Sequence, residues 1–116
     1  MSVNCNDFLI FAKSLSNKSE INNRNAASRS YYAAYHKCVE IYNPNNDLIG
    51  EGGLHEKLIK HLEGGCDKKE KELSYQMNQG RKLRVIADYK LDIDFTKSDR
   101  ETAIYYSEEI LKLLNN

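Results

Sequence analysis

The chain carries a single proline, Pro44, and no run of β-branched residues long enough to sustain a strand, while its apolar residues recur three and four positions apart. That spacing puts side chains on one face of a 3.6-residue turn, so the sequence predicts an all-helical (all-α) fold. Phe8, Phe11, Ala12 and Leu15 form the apolar stripe of a first helix, which the turn-forming Ser16-Asn17-Lys18-Ser19 interrupts. Ser19 or Asn22 caps a second helix running to about Tyr42, with Ala27, Tyr31, Ala34, Tyr35 and Cys38 around a wide apolar face. Asn43-Pro44-Asn45-Asn46 ends it, since the residue before a proline is pushed out of helical geometry.

Gly50-Glu51-Gly52-Gly53 leads into a short third helix carrying Leu54, Leu58, Ile59 and Leu62, with Gly64-Gly65 as its C-cap. No strand precedes these glycines and no Gly-Lys-Ser/Thr follows, so they read as a connector and not as a phosphate loop. From Asp67 to Tyr89 a long helix places Leu73, Met77, Leu83, Ile86 and Ala87 at helical intervals. Gly80 in its middle costs about 1 kcal/mol relative to alanine and marks close helix packing. Ser98-Asp99-Arg100-Glu101 has capping-box spacing, so the last helix is expected to start there and to run through Ala103, Ile104, Tyr106, Ile110, Leu111 and Leu114. Short connections then predict an up-and-down bundle of about five helices, mostly antiparallel, with the second helix central.

At 116 residues the sequence is read as one domain, 1–116, with one modest core. Seventeen Lys plus Arg balance seventeen Asp plus Glu, so bulk charge does not announce a nucleic-acid binder and any such contact must be local. One basic stretch is local in that way: between Lys18 and Lys37, the cations Lys18, Arg24, Arg29 and Lys37 face Glu20 alone. Arg24 and Lys37 are the substrate-binding candidates of that stretch, set against an ordinary solvated helix face. Cys5, Cys38 and Cys66 lack metal-ligand spacing and leave one thiol over in any pairing, which predicts a reduced, cytoplasmic protein. His55, His61 and Cys66 do not read as a zinc site, and no window approaches a membrane span. Neither a metal nor another cofactor is expected.

Within Arg29-Ser-Tyr-Tyr-Ala-Ala-Tyr-His36 an arginine and a histidine lie seven residues apart in one helix. Seven steps of about 100° fall about 20° short of two turns and separate the Cα atoms by about 10 Å, so the two side chains share a face and can reach one phosphate. A guanidinium holds phosphate oxygens, and an imidazole moves protons near neutrality. Spacing alone is also met by surface or capping residues. The longer segment from Arg24 to His36 resembles the second helix of HEPN-domain proteins, with its pattern Ser-Arg-x-Tyr-Tyr-Ala-x-Phe/Tyr-His. Gly53-Leu54-His55 with Leu58-Ile59 looks like the short third helix of small HEPN families, and Arg84 to Tyr89 looks like their Arg-x-x-Ala-Asp-Tyr segment.

That resemblance implies metal-independent cleavage of RNA, in which the 2′-OH attacks its own phosphate and leaves a 2′,3′-cyclic end. His36 would handle protons and Arg29 would stabilise the phosphorane. It also implies a homodimer through the second helix, bringing two such motifs to one groove. Ser28, Tyr32 and His36 recur every four residues, so Tyr32 either orients the pair or anchors packing. Arg84 and Asp88, also four apart, form an intrahelical ion pair, or Asp88 supports Arg29 or His36 from the neighbouring helix. Tyr31 and Tyr35 are assigned to packing.

Two functions fit these residues. One is a ribonuclease toxin or phage-defence effector, held by a cognate antitoxin. The other is a non-catalytic HEPN module that binds or regulates a partner nucleotidyltransferase. The partnered toxins of the family carry Arg-x4-His-x-Tyr, whereas here six residues separate Arg29 from His36 and Lys37-Cys38 follows. Regulation by adenylylation of that tyrosine therefore does not carry over to this chain.

Overall fold

The computed structural model describes residues 2–50 and 52–115, and five helices account for its regular structure: α1 (Cys5–Ser14), α2 (Glu20–Tyr42), α3 (Leu54–Glu63), α4 (Lys68–Tyr89) and α5 (Lys97–Leu114). The all-α bundle expected from periodicity is the fold observed. No strand occurs among the described residues, and none of their helices is long and apolar enough to cross a membrane.

Local chemistry sets most boundaries. Asn4 and Asp7 close a capping box at the start of α1, Ser19 accepts from the Asn22 amide to open α2, and Asp67 accepts from the Lys69 amide to open α4. One boundary differs from expectation, since α5 is capped by Thr96 with Asp99 and not by Ser98 with Glu101. Both frames satisfy the same spacing, and the residue before the cap decides between them. Phe95 is buried against Ala27, Ala87 and Ala103, and its amide donates to Glu20, so the chain is pinned in extended form just before Thr96.

α2 packs against all four other helices. Ala26, Ala27, Ala33 and Ala34 are fully buried along it, and their small side chains let neighbouring helices approach its backbone. The main core joins Tyr31, Ala34 and Cys38 of α2 to Leu58 and Leu62 of α3, Leu73 and Met77 of α4, and Ile110 of α5. Arg24 meets the end of α4 while Tyr31 meets Gly80 in its middle, so α2 and α4 run antiparallel. α3 departs from simple alternation: His55 in its first turn contacts Tyr31 and Tyr35, so α3 starts level with the middle of α2. On α1 only Ala12 is buried, and Phe11, expected in the stripe, is 51% exposed.

Gly80 lies at a close approach, and a Cβ built there would meet Tyr31 Cδ1 at 3.5 Å and Tyr106 Cβ at 3.9 Å. Those are ordinary van der Waals distances, so the position tolerates a methyl. Gly80→Ala is expected to raise stability by about 0.5–1 kcal/mol, through helix propensity and a less flexible unfolded chain. Urea denaturation of the two proteins checks this, and a lower midpoint for the alanine variant would contradict it.

Two buried arginines close helix ends from a distance. The Arg100 guanidinium donates to the carbonyls of Ala12, Leu15 and Ser16, where α1 finishes, and to Asn23 Oδ1. Arg24, 5% exposed, donates to the carbonyls of Ile86, Ala87, Lys90 and Ile93 at the end of α4, and pairs with Glu20. A guanidinium at a helix C-terminus satisfies orphan carbonyls and opposes the negative end of the dipole. Arg24 is thus corrected from a substrate-binding candidate to a structural residue, because its donors are already taken inside the protein.

Candidate functional site

Four helices enclose most of α2, and the strip left at its surface carries Ile21, Asn25, Arg29, Tyr32, His36 and Glu40 in exposed or half-buried positions. The steps of three and four between them keep these residues on one side of the helix. Arg29 and His36 therefore share a solvent-facing strip, with Tyr32 between them.

The Tyr32 ring organises this region. The Arg29 guanidinium carbon lies 5.0 Å from the ring centroid and that of Arg84, from α4, lies 5.3 Å away. Both distances fall within cation–π range. The His36 ring is 5.9 Å from it, and Phe8 of α1 packs on His36 with centroids 5.1 Å apart. Phe8 also comes within 6.0 Å of the Arg29 guanidinium carbon. Shallow hollows open on either side of Phe8: one of 190 Å³ is lined by Phe8, Phe11 and Arg29, and one of 410 Å³ by Phe8, His36 and Glu40, among others.

A polar relay joins α2 to α4. Arg29 Nη2 donates to Ser28 Oγ at 3.2 Å, Ser28 Oγ donates to Asp88 Oδ2 at 3.0 Å, and Arg84 Nε donates to the same oxygen at 3.0 Å. Ser28 is buried and Asp88 half-buried, so this geometry is held from within the protein. The expected Arg84–Asp88 ion pair is present. Asp88 reaches Arg29 through Ser28, and among the described residues it has no hydrogen bond to His36. Ser28, Tyr32, Arg84 and Asp88 thus converge on Arg29, while Lys37 pairs with Glu40 at 3.7 Å on its own helix and does not join the group.

Partial burial, and secondly the charge of Arg29, hold the His36 imidazole below its usual pKa. It is therefore neutral at pH 7, with a lone pair free to accept a proton. Cys38 is a different case: burial pushes its thiol up to about 12, which makes it inert packing.

His55 belongs to the same region; the sequence placed it in the Gly53-Leu54-His55 segment that resembles the third helix of small HEPN families but gave it no part in the site. Its ring stacks on Tyr35 at 4.1 Å, lies 5.8 Å from Tyr32, and Nδ1 is 2.7 Å from the Tyr31 hydroxyl. The weak signal available was its place at the start of an amphipathic helix behind a glycine run. Burial first, then the charges of Arg84, Arg81 and His36, push its pKa down to about 4. Arg29, Arg84 and the imidazoles of His36 and His55 thus surround Tyr32, with Asp88 bonded to Arg84 beside them and Asp7 and Glu40 at the hollows next to Arg29 and His36.

Compared with known proteins, the chain matches no family model, no curated protein and no solved structure.

Proposed function

We propose that this chain is a metal-independent endoribonuclease that cleaves RNA to 2′,3′-cyclic phosphate ends. The observation that carries the reading is the placement of Arg29 and His36 on one exposed strip, on either side of Tyr32. His36 accepts the proton of the ribose 2′-OH as the 2′-oxygen forms its bond to phosphorus. Arg29 neutralises the phosphorane as the bond to the 5′-oxygen breaks, and that oxygen takes its proton from water or from the partner's His36. The relay through Ser28 to Asp88 and Arg84 keeps the Arg29 fork in place. The HEPN-like pattern of residues 24–36 and of Arg84 to Tyr89 supports the same chemistry.

A two-fold dimer along α2 supplies a second proton carrier, and the exposed Ile21 at one end of the strip gives such an interface an apolar contact. In this reading the protein is a cytoplasmic toxin or phage-defence effector, controlled by an antitoxin. The exposed Ile10 and Phe11 on α1, with Val3 just ahead of it, favour a second reading, a binding module for a partner such as a nucleotidyltransferase.

Incubating the purified protein with total RNA in excess EDTA, followed by analysis of product ends, separates the two. Cyclic-phosphate ends support the ribonuclease, and intact RNA supports the binding module. A pH prediction follows from the electrostatics. Arg29 depresses the His36 pKa, so Arg29→Gln is expected to slow cleavage and to move the acid limb of the pH–rate profile to higher pH. An unmoved limb would separate Arg29 from His36.

A further inference from the structure

We infer that His55 is a second phosphate-contacting residue of the site, offering a neutral Nε2–H donor beside Arg84 to a phosphate of the bound nucleic-acid strand. This extends the ribonuclease reading to a group outside the Arg29–His36 pair.

The argument starts from one hydrogen bond. Tyr31 is 1% exposed, burial raises its phenol well above the usual range so that it keeps its proton, and its hydroxyl has one partner among the described residues, His55 Nδ1 at 2.7 Å. A buried O–H must donate somewhere, and Nδ1 is the available acceptor. His55 therefore carries its ring proton on Nε2. The alternative tautomer would set two hydrogens against each other, or leave the phenol proton without an acceptor.

The second step concerns where Nε2 faces. It has no protein partner among the described residues, and the buried side-chain atoms there without a partner are Asn43 Nδ2 and Gln76 Oε1. His55 Nε2 is not among those sealed atoms, and His55 itself is half-buried at the surface of the bundle. Its surroundings are basic: Arg81 and Arg84 of α4 and His36 of α2 are the titratable groups that oppose its protonation, and Tyr31, Tyr32 and Tyr35 make up the rest of its ring contacts. Arg84 and His55 approach the same Tyr32 ring, at 5.3 Å and 5.8 Å, as Arg29 and His36 do. An N–H that is fixed, neutral and without a protein partner among the described residues, beside two arginines, is placed to donate to an anion. It cannot act as the base, because its lone pair is occupied by Tyr31.

Nitrogen-15 NMR of the imidazoles in the full chain tests this, first free and then with a 2′-deoxy oligonucleotide, which lacks the nucleophile and is not cleaved. The expected result is an Nε2–H tautomer of His55 from pH 5.5 to 8, whose Nε2 resonance moves as the strand binds. Tyr31→Phe should turn that single tautomer into a mixture. His55→Leu should weaken oligonucleotide binding several-fold, whereas His55→Gln, whose amide N–H replaces Nε2–H, should recover most of it. An Nδ1–H tautomer, a His55 signal unmoved at saturation, or equal binding loss in the Leu and Gln variants would overturn the inference. A wild type that cleaves RNA while His55 stays unmoved keeps the ribonuclease reading and removes this one. A His55 signal that moves with the strand in a protein that cleaves nothing does the reverse.

Discussion

Replacing His36 by alanine is expected to lower RNA cleavage by about 10²–10⁴-fold, the range of a lost general acid or base, with the fold unchanged. The imidazole is largely exposed, its ring contacts are Phe8, Tyr32 and Tyr35, and among the described residues no hydrogen bond depends on it. Truncation therefore removes little buried surface and leaves no polar group unsatisfied. Circular dichroism melting beside the EDTA cleavage assay checks both halves. A folded variant that still cleaves at the wild-type rate would remove His36 from the chemistry. Arg29 sits closer to the packed interior, so its substitution is a less clean probe.

The second large effect is on stability. Arg24→Met is expected to destabilise the protein by about 3 kcal/mol or more, because the methionine fills the space but abandons carbonyl acceptors on four residues at the end of α4. A domain of this size should lose roughly 10 °C or more in Tm. Glu20 loses its partner as well, though its carboxylate still accepts from the Phe95 amide, the main cause of its lowered pKa. A substrate-binding Arg24 would behave the opposite way, with unchanged melting and weaker RNA binding. Thermal denaturation of the two proteins distinguishes these outcomes.

Stability should also fall in mild acid. The His55 pKa in the folded chain, about 4, lies below the ordinary 6.5, so the unfolded chain binds the extra proton first. The contribution of neutral His55 is complete above the ordinary value and is lost as pH falls from there toward about 4.

Helix number, helix breaks and the shared face of Arg29, Tyr32 and His36 were legible in the sequence because each depends on residues within two turns of one another. Ser16 to Ser19 interrupts the first periodicity, Pro44 follows the end of α2, and the steps of three and four put Arg29 and His36 on one side. The sequence by itself thus determined an all-α chain and a candidate pair on its longest helix. Tertiary structure decided which polar side chains face in. Arg24 and Arg29 are both basic residues of one segment, yet Arg24 turns to carbonyls more than sixty residues away and Arg29 stays at the surface. His55 enters the site from α3 only once that helix starts level with the middle of α2, and Thr96 outcompetes Ser98 as a cap only once Phe95 is buried. Each of these outcomes turns on a contact between distant segments, and local spacing carries no information about a partner that arrives only when the bundle closes.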